Sequence, residues 1–181
     1  MNGVTLANTP VLETERLILR APQAGDTEPG MAFLQDDRSR YMGGPQSRFQ
    51  AWRTMGHVAG HWVMRGYGMF VYCDKATGKP LGVTGPFYPE GWAEPEFGWS
   101  VWTVEAEGKG YVFEAAQAAR TWAYANLGWT TAVSYIDPEN VRSMALARRM
   151  GAVVDPDAAL PDLPDWEGTL VFRHPGPEDL A

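Results

Sequence analysis

Apolar positions along this 181-residue chain fall into short runs separated by turn-forming residues. Leu12 to Arg20 (LETERLILR) alternates apolar and polar around Leu17, Ile18 and Leu19, which predicts a first strand. Thr27 to Asp37 and Gln46 to Met64 read as helices, parted by the Gly43–Gly44–Pro45 breaker. Gly68 to Cys73 and Leu81 to Tyr88 form a predicted hairpin, with turn chemistry supplied by Asp74 to Gly78. Glu96 to Thr103 (EFGWSVWT) is the next strand, rich in aromatic and β-branched residues. A glycine-bearing loop follows, then a helix from about Gly110 to Asn126 with Val112, Ala116, Ala119 and Ala123 on one face. Such an alanine-lined stripe lets a helix sit close against a sheet. Thr130 to Ile136 is a strand, Asp137–Pro138 opens another helix, and Gly151 stops it. Asp155 to Asp165 is an acidic, proline-bearing loop, and Thr169 to Arg173 a last strand. Strands and helices alternate only in the second half. This order predicts one α/β domain over residues 1–181, with a core from about 12 to 174 built on a mixed sheet flanked by helices.

Composition narrows the function classes. Hydrophobic residues at 45% and charged residues at 20% suit a globular chain with a sizeable core. Apolar stretches are strand-length, too short to span a membrane, so no membrane role is expected. Met1 to Pro10 lacks the basic start and apolar run of a secretion signal. The single cysteine, Cys73, excludes an internal disulfide and fits a reducing compartment, so a cytoplasmic location is expected. A net charge of −7 argues against nucleic acid as a partner and favours a cationic or neutral substrate. A local basic pocket for a phosphate-bearing cofactor stays compatible with that balance.

The most informative segment is Glu105–Ala106–Glu107–Gly108–Lys109–Gly110–Tyr111–Val112, between a strand and a helix. Glycines there let backbone N–H groups converge on an anion, and the helix N-terminus adds a favourable dipole. A pyrophosphate would suit it, although Gly-x-Gly also occurs in plain tight turns. Val112 and Phe113 do not provide the third glycine of a dinucleotide fingerprint, and Gly110 stands where a P-loop needs Ser or Thr.

Several blocks together resemble a known family. Thr14 to Arg20 is similar to the opening strand of the GNAT N-acetyltransferases, in the RimJ/RimL-like branch of ribosomal-protein N-terminal acetyltransferases. Glu96–Phe97–Gly98–Trp99, then Glu107 to Tyr111 with Glu114–Ala115, resemble that branch's strand, loop and helix. Val133 to Asn140, Ser143 and Met150–Gly151 resemble its next block; Arg40 to Gly44 and the Trp62, Gly66, Gly68 spacing also match. The resemblance runs in order from about Leu12 to Gly151. It implies a splayed mixed sheet, acetyl-CoA as acyl donor and an amine-bearing acceptor. The pantetheine would lie along Val101, Trp102 and Thr103, and the pyrophosphate on Gly108, Lys109, Gly110, Tyr111 and Val112. Two positions depart from the family pattern: Glu107 replaces Gln, Arg or an aromatic residue, and Val112 replaces Gly or Ala. A carboxylate beside a pyrophosphate is unfavourable, so Glu107 is expected to point away. Dimerisation is implied by resemblance alone.

Amide formation from a thioester needs a proton acceptor for the amine, an oxyanion donor and a proton donor for the thiolate. By resemblance, Glu96 is the candidate base; otherwise it is a rim carboxylate that orients a cation or pairs with a neighbour. Ser143 shares a helix face with Leu146, Ala147 and Met150, one polar group in an apolar stripe. Its hydroxyl either bonds the Glu139 carbonyl one turn back or, by resemblance, serves as proton donor at the cofactor sulfur. Asn140 suits a pantetheine contact, a helix start, or both. Tyr135 and Tyr111 are reserve proton donors or packing residues. His57 and His61 at i, i+4 could hold a metal but lack a third ligand nearby; no metal is expected. Cys73 reads as a packed thiol before it reads as a nucleophile. Trp52, Trp62, Trp92 and Trp99 could line an acceptor pocket or serve as core. Three functions follow in order: an acetyl-CoA-dependent N-acetyltransferase, a silent acyl-CoA sensor of the same fold, and a cysteine- or metal-dependent hydrolase.

Overall fold

Alternation along the strands sorts the apolar side chains onto two faces of one sheet. The computed structural model describes residues 5–164 and 166–180; both ends of the expected domain span and Asp165 of the expected loop lie outside them. The strands are β1 (Leu12–Glu13), β2 (Leu17–Arg20), β3 (Phe70–Asp74), β4 (Pro80–Phe87), β5 (Glu96–Val101), β6 (Val133–Ile136), β7 (Val153–Val154) and β8 (Leu170–Arg173). The helices are α1 (Thr27–Leu34), α2 (Arg48–Arg65), α3 (Tyr111–Leu127) and α4 (Val141–Arg149).

The sheet runs β1-β2-β3-β4-β5-β6-β8-β7. Every neighbouring pair is antiparallel except β5 and β6, which are parallel and paired only at Glu96 and Val133. Beyond that one pair the two strands part, giving the mixed, splayed sheet expected from the sequence.

On one face, Val71, Cys73 and Val83 pack with Met31, Leu34 and Met55 of α1 and α2. On the other, Leu17, Leu19, Phe70 and Tyr72 meet Ala115 and Ala119 of α3, whose small side chains allow the close approach. Ile136 and Phe172 cover Ala147 of α4 on that same side. Phe70 and Leu17 are fully buried, and each such side chain contributes roughly 1.5–3 kcal/mol through removal from water.

Element ends differ from the sequence reading for local reasons. The first predicted strand is two strands, because Thr14 turns back to bond the Leu17 carbonyl (N to O, 3.0 Å). The helix from Thr27 stops at Leu34, and Asp37–Met42 forms a 3-10 turn closed by Gly43 in left-handed geometry. Helix α2 starts at a capping box in which Ser47 and Gln50 satisfy each other's backbone N–H. Helix α4 begins at Asn140, not at Pro138, since Asp137 accepts the Asn140 N–H in a turn (2.9 Å). Strand β7, two exposed valines at the sheet edge, carries too little pattern to be expected. No helix among the described residues is long and apolar enough to cross a membrane.

A buried polar chain fastens the strands where they start to diverge. Ser134 Oγ donates to the Phe97 carbonyl at 2.6 Å and lies 2.9 Å from His174 Nε2. With its own proton committed, Ser134 accepts from Nε2–H, which leaves Nδ1 as the acceptor facing Arg120 Nη1 at 3.4 Å. Arg120 also donates to the Met150 carbonyl at 2.6 Å. Burial pushes His174 down to about 3, and the Arg120 charge adds to that, so the ring is neutral.

Candidate active site

The loop before α3 is shaped by two glycines in left-handed backbone, Gly108 (φ +70°) and Gly110 (φ +77°), where a Cβ would be strained. Gly110 is the N-cap residue of α3 and offers no side-chain cap. The first helical bond runs from Glu114 N to Gly110 O, so the N–H groups of Tyr111, Val112 and Phe113 lack intrahelical acceptors. Lys109 lies between the glycines, and the dipole of a 17-residue helix ends here. These features fit an oxyanion-rich ligand such as a pyrophosphate.

The loop is held from the first hairpin. Arg16 donates from Nε to Glu114 Oε2 (2.6 Å) and from Nη1 to the Lys109 carbonyl (3.0 Å), and lies over the Tyr111 ring at 4.5 Å. Thr14 Oγ1 and the Arg16 N–H both donate to Glu114 Oε1. No local sequence pattern links Thr14 and Arg16 to Glu114, because they meet only in the folded chain. Val112 is half-buried and packs with the Leu17–Phe70 cluster, which occupies its side chain away from solvent.

Glu107 is the more consequential departure. Its carboxylate pairs with Arg38 Nη1 at 3.4 Å and Arg142 Nη1 at 2.7 Å. Arg38 comes from the turn after α1 and also donates to the Trp102 carbonyl (2.9 Å), whereas Arg142 comes from the first turn of α4. Glu107 thus faces two guanidiniums, of which Arg38 is shared with Asp36 at 2.9 Å.

Beyond Glu96 the edge of β5 facing β6 is without a partner strand. Trp102 N–H bonds the Leu81 carbonyl (2.7 Å), so by strand alternation Trp99 and Val101 direct their backbone groups into the gap. Of the three expected pantetheine positions, Trp102 has both backbone groups engaged within the chain and its indole in the core. Val101 and Thr103 are half-buried on either side of it.

Ser143 lies on α4 over this gap. Its Oγ accepts the Trp99 indole N–H at 3.2 Å, and its backbone N–H bonds Asn140 Oδ1 at 3.1 Å. Asn140 is thus the helix cap, and Ser143 turns to an indole and not to the Glu139 carbonyl. Accepting from the indole leaves the hydroxyl proton free to be donated.

Glu96 lies on the opposite face of the sheet. Its Oε2 accepts the Trp92 indole N–H at 2.6 Å, and among the described residues no cation lies within ion-pairing distance. Burial pushes its carboxyl up to about 7, against the opposing effect of the Trp92 hydrogen bond. A Cβ at Gly98 would lie 3.0 Å from Met69 Cε and 3.7 Å from Glu96 Oε1, so glycine keeps the floor beside the carboxylate bare. Tyr135 lies on the same face by strand register; its buried hydroxyl has no hydrogen-bond partner among the described residues. Glu96 and Ser143 therefore flank the splay from its two sides.

The other sequence candidates are accounted for by packing. His61 Nδ1 donates to the Tyr67 carbonyl (2.7 Å) and Nε2 accepts the Tyr88 N–H (2.9 Å), which uses both nitrogens. No cluster of three or more His, Cys, Asp or Glu able to hold a metal occurs among the described residues. Cys73 is buried, and burial raises its thiol, the wrong direction for a nucleophile. Trp62 is core and donates to the Met69 carbonyl, whereas Trp52 is exposed.

Comparison with known proteins agrees with this geometry. Residues 16–153 match the family model described as an acetyltransferase (GNAT) domain. The crystal structure of an acetyltransferase from Agrobacterium tumefaciens strain C58 is 34% identical, with a TM-score of 0.84, covering 94% of this chain and 97% of that one. A ribosomal-protein-S5-alanine acetyltransferase from Vibrio fischeri shares the fold at 15% identity and TM-score 0.67, over 93% of this chain and 98% of that one. So does AAC(6')-Ib, solved with paromomycin and acetyl-CoA, at 13% identity and TM-score 0.72, over 92% and 96%. No curated protein matches the chain. With a strand gap, an uncapped glycine loop and a family match over most of its length, the chain belongs to the GNAT acetyltransferases, enzymes of acetyl-CoA-dependent acyl transfer.

Proposed function

We propose that this protein moves an acetyl group from acetyl-CoA directly to a primary amine, of a small molecule or a protein N-terminus, within one ternary complex. The observation that carries this reading is Glu96: a recessed carboxylate with no cationic partner among the described residues, at the point where β5 and β6 part. Bound acetyl-CoA would supply an acetyl group already activated as a thioester.

The chain's own groups supply the rest. The α3 N–H groups and Lys109 would hold the pyrophosphate, and the exposed backbone edge at Val101 and Thr103 would hold the pantetheine. Asn140 would act through its cap, fixing the start of α4 and with it Ser143. Glu96 Oε takes a proton from the bound ammonium and so frees the nitrogen lone pair for attack, because a carboxyl raised to about 7 is a stronger base than an exposed glutamate. Ser143 Oγ, held by Trp99, keeps a proton available for the departing sulfur. The aromatic rings beside Glu96 make its surroundings less polar and so strengthen electrostatic effects there.

A silent CoA-binding sensor has less support. Glu107 is turned to Arg38 and Arg142 and Val112 packs half-buried against the Leu17–Phe70 cluster, so neither departure by itself argues for lost turnover. Free-thiol release from acetyl-CoA across a panel of amines tests the reading. Amine-dependent release supports it; CoA binding without release for any amine returns the sensor.

A further inference from the structure

The wall around Glu96 has a composition that bears on the acceptor. Four rings follow one another edge to face: Phe87 to Trp92 at 5.6 Å, Trp92 to Trp166 at 5.4 Å, and Trp166 to Tyr135 at 5.2 Å. All four are half-buried; Phe87 also packs against the core beneath β3 and β4, and each ring keeps part of its surface exposed. Trp166 comes from the loop between β7 and β8, far in sequence from the other three.

The nearby charges are equally selective. Glu94 is bound by Arg173 through both oxygens at 2.8 Å, and Asp155 is bound by the same arginine. Glu90 pairs with Arg65. Glu96 is thus the one carboxylate of the 90–96 segment without an arginine. Next to the recess, joined to it by the His57–Phe87 ring contact at 5.4 Å, is a cleft of about 350 Å³. It is lined by Gly43, Gln46, Gln50, Arg53, Thr54 and His57, which include a cation and no acid. A polycation would find one anchor at Glu96, because Glu90 and Glu94 are already held by arginines. An amine with a single charge and an apolar body would find an anchor and a wall, since aromatic faces reward both apolar contact and a nearby cation.

We infer that the acceptor is a monoamine carrying an aromatic or similar apolar group, with its ammonium at Glu96 and its body against Trp92 and Trp166. The inference rests on the acetyltransferase reading above, because it assigns the occupant of that same site.

Calorimetric titration of the CoA-loaded protein with phenethylamine, methylamine, spermidine and an alanyl tetrapeptide tests it without requiring turnover. Phenethylamine should bind about tenfold or more tighter than each of the others. Trp166→Ala should remove most of that advantage over methylamine, and Trp166→Phe should restore part of it. Equal or tighter binding of spermidine or the peptide to the unmodified protein overturns the inference, whatever the variants do. Selective binding of phenethylamine with no thiol release would leave the inference standing and overturn the proposed transfer.

Discussion

The Trp92 indole N–H donates to Glu96 Oε2 at 2.6 Å, a neutral donor on a carboxylate that has no cation beside it. A donor to the charged form stabilises it, so this bond holds the carboxyl lower than burial alone would. Trp92→Phe removes the donor and keeps a ring. The rising limb of kcat/KM, expressed per protonated amine, should move from near pH 7 to higher pH. A pH–rate profile checks this, and an unmoved limb would contradict it.

Ser143 and Trp99 make a second pair with kinetic consequences. Ser143→Ala removes the hydroxyl while Asn140 still caps α4, since that bond uses the backbone N–H. The expected outcome is a fall in kcat of roughly 10-fold to 100-fold with CoA affinity unchanged. Trp99→Phe should produce a smaller fall in the same direction. Steady-state kinetics with calorimetry of CoA binding separates the two terms, and an unchanged kcat in Ser143→Ala removes the assignment.

On the proposed reading, Glu107 would compete with a phosphate of CoA for Arg38 and Arg142. Arg142 is largely exposed, so its pair with Glu107 contributes little to stability. Glu107→Gln should leave the melting temperature nearly unchanged and tighten CoA binding by about threefold to tenfold, less at high salt. Weaker CoA binding in the variant would mean that the carboxylate positions the loop.

His174 predicts a pH-dependent stability with a definite sign. Its native value, about 3, lies below the ordinary 6.5, so the neutral ring is the form that the fold accepts. This contribution is fully present above about pH 6.5. It is lost as pH falls from there toward 3, because the unfolded chain binds a proton that the native protein does not. Urea unfolding at pH 7.5 and 5.5 should show the loss, and His174→Gln should flatten it. An identical pH slope in the variant would assign the effect to other groups.

What was legible in the sequence was the local part. The loop glycines, the Asp74–Gly78 turn and the alanine stripe of α3 are short-range signals, and each appears where its pattern indicated. The split of the first strand was hidden because Thr14 and Arg16 are committed to Glu114, about a hundred residues away. The chain from Arg120 through His174 to Ser134 and Phe97 joins α3, β8, β6 and β5, which no spacing rule connects. Of the rings beside Glu96, Trp92 was among the candidate acceptor residues, whereas Trp166 was not, since it stands in a loop with no periodicity. Glu96 and Ser143 were identifiable as residue types in a family pattern; their indole partners were not.

The most direct test of the account is thiol release by wild-type protein and Glu96→Gln, followed from pH 5.5 to 9 with the amine that is turned over best. The wild type should show a rising limb near pH 7 in kcat/KM per protonated amine. The variant should lose that limb and fall by about 100-fold or more at pH 7.5 while binding CoA normally. A variant within threefold of wild type, with the limb intact, would contradict the assignment of Glu96 as the base.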